Sequence, residues 1–150
     1  MNDNPEPLDR PRRRRRGIYL LPNLITTLTL FFGFYAVVAA LSGAYELAAI
    51  AVLVAMIMDG LDGRVARLTG TQSDFGVQYD SIADMVSFGV APALVVYAWA
   101  LADLGDLGTV WGKLGWLGAF IFTACAGLRL ARFNTQAGVA DKRYFQGLPS

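Results

Sequence analysis

Apolar residues in this chain fall into four long runs divided by short polar breaks, and each run is close to the length of a membrane crossing. A hydrocarbon core of ~30 Å takes roughly 20 residues at ~1.5 Å of rise each. The pattern predicts helix one over about Leu20–Leu41, helix two over Tyr45–Leu68, helix three over Asp74–Ala102 and helix four over Leu114–Phe133. Pro22 suits a helical first turn. The break at Gly70-Thr71-Gln72-Ser73 is so short that helices two and three should be antiparallel neighbours. A glycine-rich loop over Asp103–Lys113 precedes helix four, with Trp111 and Trp116 placed as interfacial anchors. The expected fold is all-α, a polytopic transmembrane helical bundle over 17–150. Residues 1–16 are too polar to build a core and read as a disordered basic arm.

Composition agrees: 55% of residues are hydrophobic and the mean hydropathy is +0.42. The first run is too long for a signal-peptide core and no cleavage site of the usual kind follows, so it should be retained. The net charge of +1 says little, but the placement of charge says more. With the amino terminus in the cytoplasm, every basic residue except Lys113 lies on the cytoplasmic side, as the positive-inside rule requires. The run Arg12–Arg16 serves that rule, and anionic lipid is a second partner for it. The chain holds one cysteine and no histidine, which excludes an internal disulfide and zinc chemistry of the His/Cys type. A general base must then be a carboxylate or, less readily, a lysine or tyrosine. Cys125, in the middle of an apolar run, reads as a small buried hydrophobe.

Against this background four aspartates stand out, Asp59 and Asp62 at the end of helix two and Asp80 and Asp84 at the start of helix three. Charges at membrane depth are expensive and usually functional. With about 100° of rotation per residue, Asp62, Gly63, Ala66 and Arg67 all fall within about 80° of Asp59 on one helix face. Gly76, Asp80 and Asp84 recur at i, i+4 and i+8, with Ser73, Ala83 and Ser87 on or near that face. Structural ion pairs explain this poorly, because no Asp–Arg pair here has the i, i+3 or i, i+4 spacing that lets helical neighbours touch. Four converging carboxylates without fixed cations repel one another. Divalent cations resolve the conflict, and an all-oxygen donor set suits Mg²⁺ or Mn²⁺. Two such ions held by carboxylates are a device for in-line displacement at phosphorus. Arg67 is suited to phosphate oxygens. Asn23 and Thr26 share a face of helix one, either as packing and capping polars or as ligand contacts.

The series Asp59, Asp62, Gly63, Ala66, Arg67, Gly76, Asp80, Asp84 resembles the signature of the CDP-alcohol phosphotransferase family, D-x₂-D-G-x₂-A-R-x₈-G-x₃-D-x₃-D, without a gap or substitution. The resemblance implies that the four aspartates bind two divalent cations and that Asp84 also acts as the general base. It implies that Gly63, Ala66, Arg67, Ser73 and Gly76, with Asn23 and Thr26 of helix one, bind a CDP-lipid donor. Leu21–Thr27, Asp80–Pro92, Arg129–Asn134 and Tyr144–Ser150 are similar to the bacterial serine-using branch of that family. That branch carries further helices, six to eight in all, so the domain over 17–150 reads as truncated at its carboxyl end.

The implied reaction moves a phosphatidyl group from CDP-diacylglycerol to L-serine and releases CMP. The implied setting is the cytoplasmic (inner) membrane, with the site facing the cytosol and a homodimer as the assembly. Arg129 and Arg132, three apart near the end of helix four, read either as positive-inside residues or as a site for the serine carboxylate or a phosphate. Two other readings stay open: the same chemistry with glycerol phosphate or inositol phosphate as acceptor, and a cation transporter built on membrane carboxylates. A phosphorylated acceptor calls for an extra basic pocket that no residue supplies, and transport sites tend to lie nearer the midplane.

Overall fold

The computed structural model describes residues 20–70 and 73–136, and these form helices and turns with no strand among them. The basic arm over 1–16 and the polar tail after Gln136 lie outside the described residues. Helix α1 spans Leu20–Leu41 and α2 spans Tyr45–Thr69, joined by a turn in which the Gly43 and Ala44 amides donate to the Ala40 and Ala39 carbonyls at 3.0 and 2.9 Å. Helix α3 runs without a break over Asp74–Leu107. Helix α4 spans Thr109–Gln136.

Two boundaries lie five residues from the sequence expectation, while α2 and α4 end one and three residues later than expected. The predicted loop over Asp103–Lys113 is mostly helical: α3 continues to Leu107 as a 3-10 turn, and α4 begins at Thr109 instead of Leu114. Gly108 alone, at φ 129, makes the reversal. Glycines lowered the helical expectation there, but they allow the two helix ends to pack tightly. A Cβ on Gly115 would come within 2.7 Å of the Leu101 carbonyl oxygen.

Among the described residues, three of the four helices are long and apolar enough to cross a membrane, over Asn23–Leu41, Asp74–Leu107 and Thr109–Thr135, and the chain is an integral membrane protein. Helix α2 is the exception by composition, since every 18-residue window in it holds at least three charged side chains. Its length of 25 residues and its packing on α1 nevertheless make it part of the bundle.

The core is built from small residues. Ala36, Ala39 and Ala40 of α1 meet Ala48 and Ala51 of α2 and Ala91 and Val95 of α3. The largest fully buried side chains are Thr29 and Ser87, while Phe31, Phe34, Leu53, Ile57, Phe120 and Phe122 are exposed. Lipid is as apolar as leucine, so helices in a bilayer gain little by burying large side chains against each other. They associate instead by close backbone approach at small residues. Only 6% of the apolar 18-residue stretch of α4 is buried, and Cys125 is exposed. The expectation of a buried cysteine fails because α4 meets its neighbour along one face only, and Cys125 is on another.

Helix α3 is not a regular α-helix. After the α-helical stretch Asp74–Asp84 it widens into π-helical turns at Met85–Val90 and again at Tyr97–Leu101. Side chains from other helices bond carbonyls in these turns. Thr123 Oγ1 donates to the Gly89 carbonyl at 3.3 Å, and Tyr45 Oη donates to the Ala98 carbonyl at 3.1 Å. The latter contact joins the start of α2 to the end of α3, so the two are antiparallel as expected. They meet mainly over Met85–Val96, whereas the end of α2 and the Asp74–Asp84 stretch stand apart with α1 packed against both. That separation positions the site.

Candidate active site

The carboxylates reach across the gap between the end of α2 and the start of α3. Asp59, Asp62 and Asp80 each offer one carboxylate oxygen, and these oxygens all lie within 4.8 Å of one another. Residues from two helices thus converge on a space the size of a small cation. Asp84, one turn deeper on α3, lies within hydrogen-bonding reach of Asp59, and its Oδ1 is buried with no hydrogen-bond partner among the described residues. Among those residues no basic side chain forms an ion pair with any of the four. An acceptor-only, all-oxygen cluster with an unpartnered buried oxygen is the donor set that a hard divalent cation takes.

Helix α1 closes the third side. Thr26 Oγ1 donates to Asp62 Oδ2 at 2.9 Å, with Thr26 only 4% exposed and Asp62 only 3%. The Asn23 side chain reaches the start of α3, since a Cβ on Gly76 would lie 3.5 Å from Asn23 Oδ1 and 3.2 Å from Ser73 Oγ. Ser73 is the N-cap of α3, its Oγ accepting from the Gly76 amide at 3.0 Å. The structure therefore brings Asn23, Ser73 and Gly76 together at one edge of the aspartates. On α2, Arg67 Nε donates to the Gly63 carbonyl at 2.9 Å, folding the guanidinium back along its own helix over a glycine that leaves it room. Ala66, half-buried, lies between them in sequence.

Arg129 and Arg132 are not brought to the cluster. Both are exposed, and α4 faces α3 with Gly127, Leu130, Ala131 and Asn134 across a shallow groove. About 100° per residue puts the two arginines roughly 150° round the helix from the middle of that face. Sequence reasoning also passed over the polar ties that hold α3 in place. Asn134 Nδ2 donates to Ser81 Oγ at 2.8 Å, and the hydroxyls of Thr27 and Tyr79 are 3.0 Å apart. Their only sequence signal is a polar residue on an apolar helix, which does not name its partner.

Residues 19–149 match the sequence model of the CDP-alcohol phosphatidyltransferase family. Among curated proteins, the chain is 41% identical over 132 residues to a CDP-diacylglycerol–serine O-phosphatidyltransferase of Helicobacter pylori, covering 88% of this chain and 53% of that protein. It is 40% identical over 146 residues to the protein of the same name from Mycobacterium tuberculosis, covering 92% of this chain and 48% of that one. An archaetidylserine synthase of Methanothermobacter thermautotrophicus is 37% identical over 131 residues, 86% of this chain and 52% of the relative. The chain spans about half the length of the curated relatives it matches.

Proposed function

The chain belongs to the CDP-alcohol phosphatidyltransferase family, and on that premise we propose that it transfers a phosphatidyl group from CDP-diacylglycerol to L-serine, giving phosphatidylserine and CMP. The observation that carries this reading is the convergence of Asp59, Asp62 and Asp80 from two helices onto one point, beside the unpartnered Asp84 oxygen. The serine acceptor is supported by relatives that bear that activity in their names at 41% and 40% identity.

In this mechanism Asp59, Asp62 and Asp80, with Asp84 beside them, would hold two divalent cations, Mg²⁺ or Mn²⁺. When bound, such ions supply charge stabilisation to both the attacking and the leaving oxygen of an in-line displacement. Thr26 holds Asp62 in orientation. Asn23, Ser73 and Gly76 on one side and Gly63, Ala66 and Arg67 on the other frame the donor, the small residues letting it come close to the backbone. Arg67 swings from the Gly63 carbonyl to take phosphate oxygens, for which its fork of N–H donors is suited. Asp84 accepts the proton of the serine hydroxyl. The serine oxygen then bonds to the lipid-side phosphorus as the bond from that phosphorus to the CMP oxygen breaks, and CMP departs with the electron pair. The site opens at the bundle end that carries Arg64, Arg67, Arg129 and Arg132, which the positive-inside rule puts in the cytosol. Arg129 and Arg132 would then serve orientation of the chain ahead of acceptor binding.

The test is release of CMP by the full chain in mixed micelles of CDP-diacylglycerol, with serine, glycerol phosphate or inositol phosphate supplied in turn. CMP release with serine alone, abolished by a chelator and restored by Mn²⁺, is expected. Release with another alcohol but not serine would overturn the acceptor assignment, and chelator-insensitive release would overturn the metal-bound centre.

A further inference from the structure

We infer that Ser87 and Gly33 form a positioning contact for the cation-binding face, setting how closely α1 approaches α3 one turn below the carboxylates; the inference rests on the reading of that face just given. Ser87 Oγ donates to the Thr29 carbonyl at 3.1 Å across the two helices. Ser87 and Thr29 are both 0% exposed. A Cβ on Gly33 would lie 2.8 Å from Ser87 Cα and 2.9 Å from Ser87 Cβ, so here one backbone rests directly on the other and no larger residue fits. Thr29 follows Thr26 by one turn of α1, and Ser87 follows Asp84 by one turn of α3. The contact therefore lies one turn along from both the Thr26–Asp62 bond and the Asp84 carboxylate.

The irregular geometry of α3 belongs to the same device. Ala83, Ser87, Ala91 and Val95 form a buried row spaced by four throughout, with Gly89 and Ala93 also buried between them. In a regular α-helix each such step drifts by about 40°, which over three steps would carry the row off its neighbours. The π-helical turns at Met85–Val90 begin directly after Asp84, and their wider i→i+5 winding works against the drift. The α-helical stretch can then aim Asp80 and Asp84 at α2 while the lower stretch keeps Ser87 on α1. A small hydroxyl at Ser87 both fits against Gly33 and bonds a carbonyl, which alanine does not do and a larger residue has no room to do.

The test uses Mn²⁺ alone as the probe, with its binding to the purified full chain followed by electron paramagnetic resonance beside CMP release. Gly33→Ala should weaken Mn²⁺ binding at least tenfold and lower kcat. Adding Ser87→Gly, which removes the obstructing Oγ and Cβ but leaves the 2.8 Å approach to the Ser87 Cα, should recover only part of that loss. Ser87→Ala, which keeps the packing and loses the bond, should weaken binding about threefold. A purely structural role would lower the thermal midpoint and the folded yield without altering Mn²⁺ affinity per folded molecule. Wild-type affinity in folded Gly33→Ala overturns the inference, and if that variant does not fold, wild-type affinity in Ser87→Ala does so. Asp80→Asn separates the two levels: Mn²⁺ binding unchanged in that variant sinks the carboxylate site itself, whatever Gly33 and Ser87 do.

Discussion

Replacing Thr26 with valine exchanges one hydroxyl for a methyl of nearly the same size, in a place where the hydroxyl has a defined task. Its Oγ1 donates to Asp62 Oδ2 at 2.9 Å, and both residues are nearly inaccessible to solvent, so no water replaces the lost donor. A hydrogen bond to a charged group contributes about 1.5–3 kcal/mol. At about 1.4 kcal/mol per tenfold, that is between one and two powers of ten. The same range is typical when an outer partner of a metal ligand is removed. Thr26→Val should therefore raise the Mn²⁺ concentration giving half-maximal CMP release by about 10- to 100-fold. Thr26→Ser, which keeps the hydroxyl, should stay within about threefold of the wild type, since the bond energy is retained. The assay is a Mn²⁺ titration of CMP release at saturating CDP-diacylglycerol and serine. A valine variant that titrates like the wild type would show that Asp62 needs no orientation from α1, and the account of the third wall of the site would fail.

Asp84→Asn should lower kcat by about 10²–10⁴-fold, the usual worth of a positioned general base, in single-turnover CMP release at saturating Mn²⁺; near-normal release would dismiss the base assignment. Asp80→Asn should abolish detectable turnover and Mn²⁺ binding together, because it removes one of three converging oxygens, as calorimetry with Mn²⁺ would show. Gly70 caps α2 at φ 61, a conformation that costs an L-residue about 1–2 kcal/mol. Gly70→Ala should accordingly lower the thermal midpoint, whereas Gly60→Ala, in the interior of α2 with nothing within 4 Å of the added Cβ, should raise it, because alanine is the better helix former by about 1 kcal/mol.

The helices were legible because each is announced locally. The run Leu20–Leu41 was read to the residue, and α2 to within one residue of its end. The start of α4 was missed because glycine lowers helix propensity in isolation, while Gly112 and Gly115 are there to let the end of α3 come close. The carboxylates were legible for a related reason: spacings of three and four put Asp59 with Asp62, and Asp80 with Asp84, on single faces whatever the helices pack against. Arg129 and Arg132 share the same spacing, but periodicity does not say which way a helix is turned.

By itself the amino-acid order determined which segments are helical, that they belong in a membrane, and that four acids and their small neighbours share two helix faces. Each of these follows from the rotation and rise of one helix and from the hydropathy of its own residues. Only the tertiary structure decided that α1 wedges against both faces, that Thr26 is bonded to Asp62 36 positions away, and that Ser87 rests on Gly33. Those contacts depend on the distance and turn between separate helices. That arrangement is set by small side chains and widened turns acting together, and no period along the chain encodes it.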